Sequence, residues 1–286
     1  MPAHAPSLAA DGAAIENLQA ADRAKPLTAT GLSDLVGLLA AAKRDAEASA
    51  YAARLLKLRP THRRALRALT RSPPADVDVI GGWRALAETT PDDPEPWLQI
   101  ARLAARAGDG AAALEAGDEV LARADGHAEA LGLKLTALSI LGAHDAIGEA
   151  WRQLHAADPA RARTLADRAA DKADIDSAAA MLGEAGALGA LDAEGELRRL
   201  RLRSWLTVEA FEAELAGDML EAARAFARLT RLEPNAADYA DGLARAIGRP
   251  RARIEGAVAA GDAGPGDGAA EALSAGSCFD DDAAMG

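Results

Sequence analysis

The sequence predicts an all-α fold built as a stack of helical hairpins, an α-α superhelical solenoid. The composition is the first observation: half of the 286 residues are hydrophobic, and this half is mostly alanine and leucine, which are strong helix formers. The second is the shortage of strand-forming side chains, because aromatic residues make up only 3% of the chain and Val, Ile and Thr are sparse. The third is an internal repeat with helical spacing.

The repeat consists of a small or apolar residue, a bulkier residue four positions later and a proline eight positions after that. It occurs as Ala222/Phe226/Pro234, Ile147/Trp151/Pro159, Val79/Trp83/Pro91 and Ala48/Ala52/Pro60. Residues four apart lie on one helix face, so the small residue lets two helices approach while the large one fills the space beside it. Proline then ends the second helix of each hairpin. Positions 91, 125 and 159 stand 34 residues apart.

With this spacing and period, residues 29–248 resemble the tetratricopeptide repeat family. The large residue that the family has near the start of each first helix is matched by Leu32, Leu66, Trp97, Leu131 and Leu206. The family's tyrosine is replaced, by Leu39, Ala104, Leu138 and Ala213. The resemblance implies a concave groove lined by the first helices and a role as an adaptor, assembly factor or chaperone.

The periodicity predicts six hairpins, at residues 29–60, 62–91, 94–125, 128–159, 160–191 and 192–234. A last helix over about 235–247 would cover the end of the stack. Residues 192–216 contain no helix breaker except Gly195, which favours one extended helix. Residues 1–28 are predicted to be flexible with one helix near 11–23, and residues 249–286 to be a flexible, Gly- and Asp-rich acidic tail.

Charge and composition exclude several classes of protein. A net charge of −12 argues against nucleic-acid binding, which needs a concentrated basic surface. The apolar stretches are too short for membrane insertion. The single cysteine, Cys278, rules out an intrachain disulfide and fits a reducing compartment, so we expect a cytoplasmic protein. The excess of arginine over lysine and the abundance of alanine suggest a bacterial source.

No catalytic residue, metal site or cofactor is expected. The five histidines are scattered with no pair four apart, so zinc ligation is not indicated. The carboxylates Asp171, Asp174 and Asp176 lack the glycine and the closing glutamate of a calcium loop. The tryptophans fall at or next to packing positions and are predicted to be core residues: Trp83, Trp97, Trp151 and Trp205.

The groove implied by the resemblance carries the candidate binding site. Its lining positions are occupied by five arginines: Arg64, Arg67, Arg71, Arg102 and Arg106. Because a guanidinium is a planar fork suited to carboxylates, these residues predict a protein partner that presents an acidic peptide or a C-terminal carboxylate. The alternative is an ordinary solvated helix face.

The sequence therefore predicts a non-enzymatic scaffold or adaptor that binds a partner protein in a helical groove. The alternative is a recognition or accessory subunit of a separate enzyme, because similar repeats are joined to glycosyltransferase or hydroxylase domains in other proteins. A nucleic-acid-binding repeat is disfavoured by the charge and by the shortage of stacking aromatic residues.

Overall fold

The computed structural model describes residues 8–172 and 174–248, and within these ranges it contains fourteen α-helices and no strand. The prediction of an all-α fold is therefore confirmed. The helices are α1 (Leu8–Ala24), α2 (Ala29–Ala41), α3 (Asp45–Leu58), α4 (Arg63–Arg71), α5 (Val79–Thr89), α6 (Pro94–Ala107), α7 (Gly110–Arg123), α8 (Ala128–Ile140), α9 (His144–Ala157), α10 (Pro159–Asp171), α11 (Ile175–Ala187), α12 (Ala193–Ala216), α13 (Met219–Leu232) and α14 (Ala237–Ala246).

Short turns join the two helices of a hairpin. The turns after α6, α8 and α12 contain a glycine with positive φ, at Gly108, Gly142 and Gly217. The turn after α2 has the same form, with Lys43 at a φ of 57° in the glycine position. There the amide of Arg44 donates to the carbonyl of Leu39 over 2.9 Å, which closes the end of α2.

Side-chain caps fix where many of the helices begin. Aspartates cap α5, α6, α7, α11, α12 and α13, through Asp78, Asp93, Asp109, Asp174, Asp192 and Asp218. Two histidines act in the same way, because the ring nitrogens of His62 and His127 accept from backbone amides at the starts of α4 and α8. Each cap satisfies an amide that has no partner inside its helix.

The chain divides into two compact units. Of the described residues, unit 1 comprises 8–143 and Gln153–Arg161. In it, first helices pack on first helices, α2 on α4 and α4 on α6, and each also packs on its neighbours along the chain. Its core includes Leu35, Leu66 and Trp83, all fully buried. The indole N–H of Trp83 donates to the Thr70 hydroxyl over 2.8 Å.

Of the described residues, unit 2 comprises His144–Arg152, 162–172 and 174–248. Trp151 is buried as predicted, and its indole N–H donates to the carbonyl of Ala162 over 2.9 Å. Here two second helices, α11 and α13, pack directly on each other. Gly183 lies at this contact, where a β-carbon would collide with the carbonyl oxygen of Arg231.

The prediction that all four tryptophans are core residues is wrong for one of them. Trp83 and Trp151 are fully buried and Trp97 is partly buried, but Trp205 is 46% exposed. The reason is the register of α12, in which the neighbouring Leu206 takes the inward position and is fully buried.

The segment 1–28, predicted to be flexible apart from one helix, contains α1 from residue 8 onward. Ile15 of α1 is buried, and Asp22 accepts two hydrogen bonds from Arg54 of α3, at 2.6 and 2.8 Å. The predicted flexibility of residues 1–7 and the predicted tail at 249–286 lie outside the described residues.

Candidate functional site

Three of the five candidate arginines form a stripe along α4. Arg64, Arg67 and Arg71 are spaced by three and four residues, so they share one helix face. Their side chains are 53%, 52% and 44% exposed, whereas Leu66 and Leu69 on the opposite face are fully buried. The amphipathic pattern of α4 therefore holds the three arginines at the surface of unit 1; we call them the α4 arginine stripe.

Each arginine of the stripe already has an acceptor on a neighbouring helix. Arg64 donates to the carbonyl of Ser33 in α2 over 3.1 Å. Arg67 donates from Nε and Nη2 to the carboxylate of Glu95 in α6, over 2.5 and 2.6 Å. These bonds raise the pKa of Arg67 above its ordinary value, so the guanidinium stays charged at every physiological pH.

Arg71 donates from Nε to Asp45 at the start of α3, over 2.8 Å. The two remaining candidates lie on α6, which packs against α4. Arg102 donates to Glu129 of α8 over 2.6 Å and to Gln99 over 3.1 Å. Arg106 donates to the backbone carbonyl of Thr70 in α4 over 2.8 Å. All five arginines thus connect adjacent helices of unit 1.

Sequence reasoning identified the arginines and missed their carboxylate partners. Asp45, Glu95 and Glu129 balance much of the positive charge that the five arginines were expected to present. The signal was available as spacing: the paired residues are 26, 28 and 27 positions apart, a little less than one repeat. Opposite charges at that separation predict contacts between consecutive first helices or their neighbours.

The stripe retains hydrogen-bond donors that these contacts do not use. A guanidinium has five N–H groups on three nitrogens. Among the described residues, Arg71 contacts acceptors through Nε alone, Arg67 through Nε and Nη2, and Arg64 through Nη1. By contrast, Arg102 uses all three nitrogens. An added carboxylate could therefore be bound on α4 while the internal contacts stay in place.

Neither a metal-binding cluster nor a membrane-spanning helix occurs in the described part of the chain. No group of His, Cys, Asp and Glu side chains between residues 8 and 248, position 173 excepted, is arranged to hold a metal ion. None of the helices in those ranges has the length and apolar character needed to cross a bilayer.

No protein-family model matches the sequence, and no curated protein matches it. Among solved structures, the chain is similar to a tetratricopeptide repeat protein from Parabacteroides merdae ATCC 43184, at 14% identity and a TM-score of 0.46, over 83% of this chain and 92% of that one. It is also similar to a chain in the structure of Naa15/Naa10 bound to HypK-THB, at 16% identity and a TM-score of 0.36, over 86% of this chain and 39% of that one.

The chain's own geometry gives the fold. Helices joined by short turns bury a small residue and a large one four positions later, as with Ala222 and Phe226 of α13, and several turns close on a residue with positive φ. Most of the described helices of both units are therefore paired as helical hairpins.

Proposed function

We propose that the protein is a non-enzymatic scaffold that binds a partner protein on the first-helix surface of unit 1. An acidic segment of the partner, or its C-terminal carboxylate, would lie on the α4 arginine stripe. The observation that supports this proposal is the set of unused N–H donors on three exposed arginines of one helix face.

The internal contacts of the stripe favour binding. Asp45 and Glu95 hold Arg71 and Arg67 in fixed orientations, so less side-chain entropy is lost when a ligand is added. Because donors remain free, the ligand need not displace these carboxylates. Charge-assisted hydrogen bonds to guanidinium groups are stronger than neutral ones, and forked pairing adds specificity.

Arg102 and Arg106 extend the proposed surface onto α6. Their contacts with Glu129 and with the Thr70 carbonyl make them secondary contributors, which hold α6 in position beside the stripe. A cytoplasmic location belongs to the same proposal, and it is supported by the single cysteine, Cys278.

The binding test uses a fluorescein-labelled peptide of alternating Glu and Ala with a free C-terminus, and a Gln counterpart that is amidated at its C-terminus and so has no peptide carboxylate. Fluorescence anisotropy should show the acidic peptide binding the full chain, with an affinity that falls as salt is added. The Gln peptide should bind at least tenfold more weakly. Equal binding of the two peptides would contradict the proposal.

The variant Arg64→Glu/Arg67→Glu/Arg71→Glu should lose at least tenfold in affinity for the acidic peptide. The matched control is Arg23→Glu/Arg59→Glu/Arg84→Glu, which makes the same charge change at three exposed positions elsewhere in unit 1. Affinity in the control should stay within about threefold of the wild type, because only general attraction is reduced. If both triple variants lose the same affinity, the stripe is not the binding site.

A further inference from the structure

An apolar stripe runs along the outward face of α12. Leu197, Leu200, Val208, Phe211 and Leu215 recur at separations of three, four or eight residues and are all exposed, Leu215 at 89%. Trp205 lies at the edge of this stripe. The helix has 24 residues and is therefore about 36 Å long. We call these residues the α12 stripe.

The opposite face of α12 already packs within unit 2. Gly195, Leu206 and Ala210 are buried there, against α11 and α13. A helix that is apolar on two opposite faces needs a neighbour on each of them. Single exposed apolar residues are ordinary, but five on one face of a helix are typical of an interaction surface.

The row is held in place by unit 2 itself. The ring of Phe211 meets the ring of Phe226 edge to face, with centroids 5.6 Å apart and planes at 88°. Because Phe226 is fully buried, this contact orients an exposed aromatic side chain that would otherwise rotate freely. Such ordering before contact lowers the entropy lost on association.

The charges of α12 change sign along its length. After an acidic first turn with Glu194 and Glu196, arginines follow at Arg198, Arg199, Arg201 and Arg203, and the second half carries only glutamates, at Glu209, Glu212 and Glu214. Among the described residues, Arg201 and Glu212 are exposed and make no ion pair. They are 11 residues apart, close to three turns, so both flank the α12 stripe on the same side.

We propose that two copies of this chain associate through α12, with the two helices antiparallel. A two-fold axis level with residue 206 would place Leu197 opposite Leu215 of the second copy and Val208 opposite its Ser204. Arg201 would then lie beside Glu212 of the second copy, and the symmetry repeats the pair. In a parallel pair, Arg201 and Glu212 of the second copy would instead lie on opposite sides of the interface and about 16 Å apart along the helix axis, so this ion pair could not form.

The oligomeric state of the full chain tests this directly. Sedimentation equilibrium between 1 and 200 μM should show the mass rising from 29.3 kDa toward twice that value. Arg201→Glu and Glu212→Arg should each raise the dimer dissociation constant at least tenfold, because each puts like charges together twice. The control Arg84→Glu, at an exposed position of α5, should leave it unchanged.

The charge-swapped double variant Arg201→Glu/Glu212→Arg is the decisive measurement, since it restores opposite charges across an antiparallel pair and should recover dimerisation. Arg84, Arg201 and Glu212 are all exposed, and far-ultraviolet circular dichroism should show that each variant is folded. The inference is overturned if the wild type is a monomer over the whole range. It is also overturned if the single variants dimerise normally, or if the double variant does not regain the dimer.

Discussion

Lys43 occupies a backbone conformation that the equivalent turns give to glycine. Its φ is 57°, whereas Gly108, Gly142 and Gly217 have φ between 68° and 79° in the corresponding turns. The left-handed conformation costs a residue with a β-carbon roughly 1–2 kcal/mol. No hydrogen bond or ion pair of the exposed Lys43 side chain offsets this cost among the described residues, so the turn is strained.

Lys43→Gly is therefore expected to stabilise the protein, by about 0.5–1 kcal/mol once the extra flexibility of glycine in the unfolded chain is subtracted. Urea unfolding measures the change. The control is Lys57→Gly in the last turn of α3, another exposed lysine, where glycine should destabilise by about 1 kcal/mol. A loss of stability at both positions would show that the turn is not strained.

Trp151 tests how much one large side chain contributes to unit 2. It is buried, and its indole N–H is bonded to the Ala162 carbonyl. Trp151→Ala should lower the free energy of unfolding by about 3–5 kcal/mol, since it leaves a large cavity.

Trp151→Phe separates the two contributions, because it keeps most of the apolar volume and removes the donor. We expect it to cost about 0.5–1.5 kcal/mol, the net contribution of one hydrogen bond, because the Ala162 carbonyl lies within α10 and keeps its helical hydrogen bond. If both substitutions cost less than 1 kcal/mol in urea unfolding, Trp151 does not hold the core of unit 2 together.

At the scale of helix pairs, α11 and α13 approach so closely that only glycine fits at position 183. A β-carbon there would collide with the Arg231 carbonyl, and Leu232 Cα lies 3.1 Å from the same point. Gly117 of α7 is the useful comparison, because its β-carbon would meet only the carbonyl of Ala130 at 3.8 Å.

The same substitution should consequently have opposite effects at the two glycines. Gly183→Ala forces two backbones apart and should destabilise by roughly 1–3 kcal/mol. Gly117→Ala adds helix propensity without a clash and should stabilise by about 0.5–1 kcal/mol. Thermal unfolding of the two variants decides this, and a matching sign for both would contradict the close approach of α11 and α13.

The contact between α1 and α3 gives a pH-dependent prediction. The hydrogen bonds from Arg54, together with the Leu27 amide, lower the pKa of Asp22 from 3.8 to about 2. A carboxyl with a lowered pKa binds its proton more weakly in the folded state. Its stabilisation is complete above pH 3.8 and disappears as the pH falls toward 2.

Asp22→Asn should cost about 1 kcal/mol at pH 7, the scale of a partly exposed ion pair. The difference between the wild type and this variant should shrink between pH 4 and pH 2, where the other carboxyl groups titrate equally in both proteins. Urea unfolding at several pH values measures it. A difference that is independent of pH would mean that the charge of Asp22 does not hold α1 in place.

For the whole chain, the sequence predicted the class of fold because the relevant information is local. The helical period and the breakers act within one or two turns of the residues that carry them, as with Gly108 between α6 and α7. The candidate site depends instead on the register between helices. Arg67 of α4 pairs with Glu95 of α6. The positions of the arginines in the sequence do not show which acidic residue each of them contacts.

The exposure of Trp205 was missed for a related reason. Leu206 and Trp205 are neighbours in sequence, and a rotation of α12 about its axis by about 100° would bury Trp205 and move Leu206 out of the core. Only the packing of α12 on α11 and α13 decides which side chain faces inward. The α12 stripe could nevertheless have been recognised in the sequence, because its apolar residues have helical spacing and lie outside the repeat consensus.

The proposed two-fold pairing of Arg201 with Glu212 on α12 would also limit how large an assembly can become. A surface that complements itself about a two-fold axis is fully used once two copies meet, so the interface is isologous and closed. A stack of repeats whose two ends complement each other can instead add copies head to tail and grow into a filament. Association through α12 would saturate at the dimer however high the protein concentration rises.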